Sequence, residues 1–323
     1  ITYREALNLA LSAEMRRAPR VFVMGEEVGL YEGAYRVTQG LLKEFGEKRV
    51  VDTPICESGF TGVGVGAAML GLRPVLEMMT FNFAILALDQ IVNTAAKMLY
   101  MSGGQYNIPL VVRGPGGPAA QLAAQHSQSM ETYFYHVPGL KVVRPSTPAD
   151  AKGLLKSAIR DENPVIFIES ETLYAVKGEV PDDPDFTIPL GQAIVRREGT
   201  DVTVVAYMGM MYRAMEVAEE LAREGMSVEI VDPRTLRPMD TQTIVNSVRK
   251  THRAVVIEAG AGFAGMGSEI LSFITEQAFD DLDAPVERVT GENAPMPYAR
   301  NLELLKTPSK AKIAAAIRKV CNA

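Results

Sequence analysis

Apolar residues recur along the chain with two different periods. Short runs of β-branched and other apolar residues predict buried strands, and between most of these runs the apolar spacing is that of amphipathic helices. Strands that alternate with helices indicate a parallel sheet covered on both faces. In the first half of the chain the predicted strands are VFVMG, RVVDT, PVLEM, IPLVVRG, LKVVRPS and PVIFIES.

Two of the predicted helices have clear capping signals. Thr2 and Glu5 have the spacing of a capping box, which predicts a helix that ends near Arg17. Thr147 followed by proline predicts a second helix over 148–160. A third helical pattern covers 83–100 without such signals.

The alternation stops in the middle of the chain and then starts again. Residues 171–191 are rich in Pro, Asp and Gly, which predicts a long connection. After it, DVTVVAYMG, SVEIVDP, RAVVIEAG and PVERVTG alternate with helical patterns, and a last helix is predicted at about 309–320. We therefore predict an α/β protein of two domains with mainly parallel sheets, spanning 1–185 and 186–323.

Composition excludes several classes of function. The net charge of −6 and the absence of a basic block argue against nucleic acid or an anionic membrane as a partner. The two cysteines cannot form a disulfide framework, which favours a reducing compartment. No apolar run reaches the roughly 18 residues of a membrane span. The chain begins with Ile1, so a targeting peptide removed upstream stays an open alternative.

Two glycine-rich stretches suggest phosphate binding, but only weakly. GAGFAG (260–265) matches G-x-G-x-x-G between a predicted strand and a predicted helix, the context of a dinucleotide site. The next strand ends in Thr290 and Gly291 instead of an acidic residue, and the motif follows the third strand of its domain, so turn glycines are the favoured interpretation. In GVGVGAA (62–68), small residues are expected to let a helix approach the sheet.

The three histidines differ in their surroundings. His252 lies at a predicted helix end and is expected on the surface, whereas His136 lies among aromatic residues and is expected in the core. His126, in AAQHSQS, follows a stretch rich in glycine and proline and has polar neighbours. Because active-site groups concentrate on such loops, functional and structural interpretations of His126 are equally supported.

Glu57 stands at the head of a run, Ser58–Gly71, that contains no other charge. One interpretation is a carboxylate stabilised by the dipole of a helix N-terminus. The other is a buried carboxylate whose raised pKa suits proton transfer. The residues alone favour the first interpretation.

Four long stretches together resemble one family. They are DTPICESGFTGVGVGAAMLGLRPVLEMMTFNF, AAQHSQS, PGLKVVRPSTPADAKGLLKSAIRDENPV and DAPVERVTGENAPMPYA. They are similar to the beta subunits of the thiamine-dependent pyruvate dehydrogenase component, in the transketolase-like group, over essentially the whole chain. The resemblance implies a pyrimidine-binding domain over 1–185 and a transketolase C-terminal domain over 186–323.

The resemblance also implies roles for individual residues. Glu57 matches the glutamate that hydrogen-bonds to the aminopyrimidine of thiamine diphosphate, and Phe83 matches the ring that packs against it. His126 matches the active-site histidine near the substrate or lipoyl group. Cys56 departs from the serine of many relatives, with tuning of the pocket as the expected effect. A structural potassium ion would be bound by backbone oxygens of Leu110, Ala158, Ile159 and Asp161, together with Asn163.

The implied activity is decarboxylation of pyruvate and transfer of the acetyl unit to the lipoyl group of an acyltransferase core. The chain lacks the G-D-G…N-N pattern for Mg²⁺ and diphosphate, so an alpha subunit is expected to supply it in an α2β2 heterotetramer. Alternatives are branched-chain 2-oxo acid or acetoin enzymes, a dinucleotide-binding oxidoreductase or flavoprotein subunit, and a non-catalytic scaffold. The bacterial cytoplasm is the first expectation for location, before the mitochondrial matrix or plastid stroma.

Overall fold

The computed structural model describes residues 1–322, which divide into two compact units. The first unit comprises Ile1–Gly116 and Tyr133–Leu190, and the second comprises Gly117–Thr132 and the described residues from Gly191 onwards. The larger segment of the second unit begins at Gly191, whereas the sequence analysis divided the chain between 185 and 186. The second unit also contains the segment Gly117–Thr132, which the sequence had placed in the first domain.

The first unit is built on a parallel sheet, as the alternating pattern predicted. Six of its strands are ordered β5-β6-β4-β3-β1-β2, and each pairs in parallel with its neighbours. Most of these strand residues are buried, which explains why they read as continuous apolar runs. The strands are β1 (Val21–Gly25), β2 (Val50–Asp52), β3 (Arg73–Glu77), β4 (Val111–Pro115), β5 (Lys141–Val143) and β6 (Val165–Glu169).

The capping signals located two helices correctly. The Thr2 hydroxyl accepts from the backbone N–H of Glu5, whose side chain accepts from the Thr2 N–H, and Thr147 has the same arrangement with Asp150. The two capped helices, α1 and α6, pack against each other. The helices of this half of the chain are α1 (Tyr3–Arg17), α2 (Leu41–Phe45), α3 (Glu57–Met69), α4 (Ala96–Met101), α5 (Glu131–Tyr135) and α6 (Pro148–Arg160).

The single helix predicted over 83–100 is wrong. A 3₁₀ segment, Phe81–Ala87, is followed by a π-helical segment, Asp89–Ala95, and only then by α4. The tighter 3₁₀ segment and the wider π segment deviate from the α-helical period in opposite senses, so across both the spacing of apolar residues stays close to that of an α-helix. Such irregular segments frequently occur at functional sites.

The second unit contains a mixed but mainly parallel sheet of five strands, ordered β12-β11-β8-β9-β7. Only the edge strand β7 is antiparallel to its neighbour. The sequence missed β7 and the short β10, whereas the other four strands were predicted. The strands that follow β6 are β7 (Ile194–Arg197), β8 (Val202–Ala206), β9 (Val228–Asp232), β10 (Thr235–Arg237), β11 (Ala254–Ala261) and β12 (Glu287–Gly291).

Among residues 1–322, five α-helices after β7 belong to the second unit. α7 and α11 pack together over a core that includes Val204, Ile230 and Ile257. The predicted terminal helix is confirmed within one residue at each end. Among the described residues, no helix combines the length and the hydropathy of a membrane span. The helices are α7 (Gly209–Ala222), α8 (Thr241–Thr251), α9 (Met266–Ala278), α10 (Arg300–Lys306) and α11 (Lys310–Cys321).

Candidate active site

Glu57 is the first residue of α3 and is only 7% exposed. A carboxylate at this place faces the positive end of the helix dipole. The helix behind it packs closely on the sheet, because a Cβ added at Gly64 would lie 2.8 Å from a methyl group of Leu76. This contact agrees with the role predicted for the small residues of 62–68. Glu57 is therefore a buried carboxylate held at a closely packed helix end.

A second carboxyl group, Glu26, lies beside Glu57 and was missed by the sequence analysis. It follows the last residue of β1 and is 7% exposed, and no donor among the described residues reaches its Oε1 atom. Burial raises the pKa of Glu26, and the charge of Glu57 raises it further. The pair can therefore hold a proton close to Glu57. The available signal was an acidic residue at the carboxyl end of a parallel strand, where ligands bind in such sheets.

Phe83 lies in the 3₁₀ segment that contacts α3. Phe81, two residues earlier, is fully buried and packs edge-on against Phe134, with ring centroids 5.4 Å apart. Phe83 is only half-buried, so part of its surface is accessible. The structure thus places Glu57 and Phe83 on neighbouring elements of the first unit, and Phe81, not Phe83, is the core aromatic of this stretch.

His126 belongs to the second unit. It ends a 3₁₀ turn, Ala124–His126, and is half-buried. We call Gly117–Thr132 the histidine loop; the backbone N–H of Gly117 donates to the carbonyl of Gln128 at 2.8 Å and closes it. The surface position predicted for His252 is confirmed, since it caps α8 and is exposed. The core position expected for His136 is wrong, because that residue is exposed.

The GAGFAG motif has the predicted local structure, with β11 before it and α9 after it. The N-terminus of α9, however, accommodates the buried carboxylate of Glu258, which accepts a hydrogen bond from the Gly267 N–H at 3.2 Å. A Cβ at Gly265 would lie 2.5 Å from Oε2 of Glu258. These glycines make room for a carboxylate of this chain at the place where a dinucleotide would put its pyrophosphate. The structure therefore favours turn glycines over a dinucleotide site.

Glu258 makes the stability of the fold depend on pH. Burial raises its pKa to about 7, and the Glu131 carboxylate adds to this, while the α9 amides and Arg288 oppose it. The folded chain binds this proton more tightly than the unfolded chain, so the stabilisation is complete below about pH 4 and is lost as pH rises through 7. We expect the free energy of unfolding of the wild type to fall by about 2–3 kcal/mol relative to Glu258→Gln between pH 5 and 8. Chemical denaturation across this range measures the difference, and parallel pH profiles would refute it.

The residues predicted to bind potassium lie at the C-terminal end of α6 and next to β4 and β6. The carbonyl oxygens of Ile159 and Asp161 converge, because Nη1 of Arg73 donates to both, at 3.0 and 3.1 Å. The Leu110 carbonyl accepts from the Val165 N–H at 2.8 Å. The carbonyl oxygens of Ile159 and Asp161 thus already face a positive group, and a metal ion would have to share them with Arg73.

Two side chains complete this cluster of oxygens. The Asp161 carboxylate pairs with Lys141 and also accepts from the Asn163 side-chain amide, at 3.1 Å. No group of three acidic, histidine or cysteine side chains among residues 1–322 has the arrangement of a metal site. Backbone carbonyls are therefore the main potential ligands here, which suits a hard monovalent cation better than a transition metal.

Both halves of the chain match known protein families. Residues 1–177 match the pyrimidine-binding domain of transketolase, and residues 191–313 match the transketolase C-terminal domain. A solved structure described as a split-gene transketolase, an inactive beta4 tetramer, superposes with a TM-score of 0.80 over 100% of this chain and 98% of that chain. At 22% identity it shows the shared fold.

Full-length relatives are much more similar in sequence. The pyruvate dehydrogenase E1 component subunit beta of Rhizobium meliloti is 57% identical over 99% of this chain and 70% of the relative. The protein of the same description from Rickettsia felis is 53% identical over 99% and 98% of the two chains, and the mitochondrial beta-1 subunit from Arabidopsis thaliana is 51% identical over 99% and 89%. The chain therefore belongs to the family of pyruvate dehydrogenase E1 component beta subunits, built from the pyrimidine-binding and C-terminal domains of transketolase.

Proposed function

We propose that the chain is the beta subunit of a component that decarboxylates pyruvate and passes the acetyl unit to the lipoyl group of an acyltransferase core. The observation that carries this proposal is the buried carboxyl pair of Glu57 and Glu26 at the start of α3. The family and the names of the relatives support it. The bacterial cytoplasm is the proposed compartment, since the most similar relatives named above are bacterial.

The residues around Glu57 fit the aminopyrimidine of thiamine diphosphate. The Glu57 carboxylate can accept a hydrogen bond from a ring N–H or take its proton, and the unpaired Oε1 of Glu26 leaves room for a polar donor. The accessible surface of Phe83 can stack on an aromatic ring. When bound, thiamine diphosphate supplies the electron sink for decarboxylation. Glu57 would hold and move the proton that it shares with the ring nitrogen of the aminopyrimidine. Burial of Glu57 keeps water from competing with the hydrogen bond between the two groups.

We assign Mg²⁺ and the diphosphate to an alpha subunit in an α2β2 heterotetramer. The sequence contains neither Gly-Asp-Gly nor Asn-Asn, and the oxygen ligands that Mg²⁺ needs beside phosphate must then come from another chain. The cofactor would lie at the boundary between the two subunits.

Reconstitution with the alpha subunit tests this function. The complex, supplied with thiamine diphosphate and Mg²⁺, is assayed for carbon dioxide release from pyruvate and from branched-chain 2-oxo acids, and for oxidation of acetoin. GAYRVTQGL and TFNF resemble the pyruvate branch, so pyruvate should be preferred. A preference for branched-chain acids or acetoin would instead assign the chain to the branched-chain 2-oxo acid or the acetoin dehydrogenases. Activity that requires an added dinucleotide in place of thiamine diphosphate would refute the proposal.

His126→Ala is expected to impair transfer of the acetyl unit to the lipoyl group more than it weakens cofactor binding. The histidine loop belongs to the second unit, whereas the residues proposed to bind the aminopyrimidine belong to the first. Reductive acetylation of a lipoyl domain and calorimetric binding of thiamine diphosphate to the same complex measure the two effects. A large loss of affinity for thiamine diphosphate, with normal acetyl transfer once the cofactor is saturating, would contradict this role.

We also propose that potassium binds the oxygen cluster near Arg73. Because a ligand that binds only the folded state stabilises it, exchanging Na⁺ for K⁺ at constant ionic strength should raise the melting temperature of the complex by a few degrees. Asn163→Ala should reduce this response, while Asn301→Ala, an exposed control on α10, should keep it. Equal melting temperatures of the wild type in Na⁺ and K⁺ would refute the proposed potassium site.

A further inference from the structure

Helix α10 exposes its apolar side chains and buries a charged one. Its three leucines, Leu302, Leu304 and Leu305, are 48%, 51% and 68% exposed, whereas Glu303 is only 5% exposed. A surface helix normally turns its apolar residues inward, and a carboxylate is rarely buried unless it is paired or hydrogen-bonded. We therefore expect a hydrogen-bond donor or a positive group on the buried side of α10, next to the Glu303 carboxylate.

The group that meets Glu303 is the backbone of the histidine loop. Oε1 of Glu303 accepts a hydrogen bond from the N–H of Gln121 at 2.8 Å. Oε2 accepts from Nη1 of Arg300, one turn earlier on α10, at 2.9 Å. Both carboxylate oxygens are thus engaged, one by the loop and one by the helix. Such charge-assisted hydrogen bonds are stronger than neutral ones.

The loop at this point has an unfavourable backbone. Gln121 and Ala123 have φ angles of 58° and 61°, in the left-handed region that L-residues rarely adopt. Residues persist in such conformations when surrounding contacts determine them, and they cluster at active sites. His126 follows three residues after Ala123. A change in the backbone at 121–123 would therefore move the histidine.

The other end of the loop has its own contacts within the second unit. The hydroxyl of Tyr207 donates to Oε1 of Glu131 at 3.2 Å, and a Cβ at Gly260 would lie 3.1 Å from that of Ser129. The Tyr207 hydrogen bond and the close approach of the Gly260 backbone to Ser129 hold the chain after His126. Glu303 holds the chain before it.

We propose that Glu303 is a positioning residue for His126. Its carboxylate, oriented by Arg300, accepts a hydrogen bond from the backbone amide of Gln121. This contact holds residues 121–123 in the conformation that positions His126 for acetyl transfer. The inference rests on the proposed function, because it takes His126 as the residue that serves acetyl transfer. Glu303 itself has no contact with the reacting atoms, so its effect must pass through the loop.

Amide hydrogen exchange in the α2β2 complex tests the structural half of this proposal without any assay of activity. Exchange of residues 118–126 should be about tenfold faster or more in Glu303→Ala, and near the wild-type rate in Glu303→Gln, whose amide oxygen can still accept from Gln121. Glu224→Ala, which removes an exposed carboxylate paired with Arg318, serves as control and should leave the loop unchanged. Unchanged exchange in Glu303→Ala would overturn the proposal.

The functional half is tested by two partial reactions of the same complex. Glu303→Ala should lower reductive acetylation of a lipoyl domain about tenfold, and lower decarboxylation with an artificial electron acceptor much less. Combined with His126→Ala, it should cause no further loss, because residues that act through one another are not additive. Losses that multiply in the double variant would overturn the positioning role.

Glu303→Asp retains the charge but is one methylene shorter, so it should give the same pattern if Glu303→Ala does not assemble. If the wild-type complex fails to acetylate a lipoyl domain at all, the proposed function is refuted, while the exchange experiment still decides whether Glu303 holds the loop.

Discussion

Glu57→Gln is expected to abolish decarboxylation by the reconstituted complex while leaving the fold intact. The substitution keeps the size of the side chain and its place at the start of α3, but the amide can neither take nor give a proton. General acid–base steps typically contribute about 10²–10⁴-fold, so the loss should reach or exceed that range. The negative charge that helps to raise the pKa of Glu26 also disappears, so Glu26 should ionise more readily in the variant.

The assay is release of carbon dioxide from pyruvate at saturating thiamine diphosphate, with the melting temperature measured on the same samples. Glu47→Gln is a matched control, because Glu47 is exposed and lies outside the proposed site. It should retain wild-type activity. A Glu57→Gln enzyme within about a factor of two of the wild type would show that this carboxylate has no part in the chemistry.

The regular elements could be predicted from the sequence because they have either continuous burial or local capping signals. Strands such as β1 and β6 are covered on both faces and read as continuous apolar runs, and α1 and α6 have capping boxes that depend on residues three apart. The irregular elements were not predictable. β7 is a half-buried edge strand that contains two arginines, and α10 exposes leucines and buries a glutamate, so neither shows the expected pattern.

The candidate site was predictable only where its signal is local. Glu57 could be singled out because it stands at the head of a long run without charge. Glu26 has only the weak signal of an acidic residue at a strand end, since its electrostatic interaction with Glu57 depends on the meeting of a strand end and a helix start far apart in sequence. The GAGFAG motif shows that a strand, a glycine turn and a helix form, but only the structure shows that Glu258 uses the helix N-terminus. The histidine loop joins the second unit through contacts made with residues far along the chain, such as Glu303.

The chain without its alpha partner is expected to be inactive and free of cofactor. It has the residues proposed above to bind the aminopyrimidine of thiamine diphosphate, and its sequence lacks the Gly-Asp-Gly and Asn-Asn pattern expected for the diphosphate half. Apolar side chains beside and along α3 also remain exposed: Ile55, Val63 and Leu70 are 80%, 63% and 87% exposed. Covering such side chains contributes about 25 cal/mol per Å² of apolar area, which suits an obligate subunit interface. Removing the partner should therefore eliminate activity entirely.

Calorimetric titration of thiamine diphosphate with Mg²⁺ tests the central claim most directly, namely that this chain supplies one half of a shared active site. The titration is run on the chain alone, on the alpha subunit alone and on the reconstituted complex, and each sample is assayed for decarboxylation of pyruvate. We predict tight binding and turnover only for the complex. Tight binding with full decarboxylation by the chain alone would contradict the account.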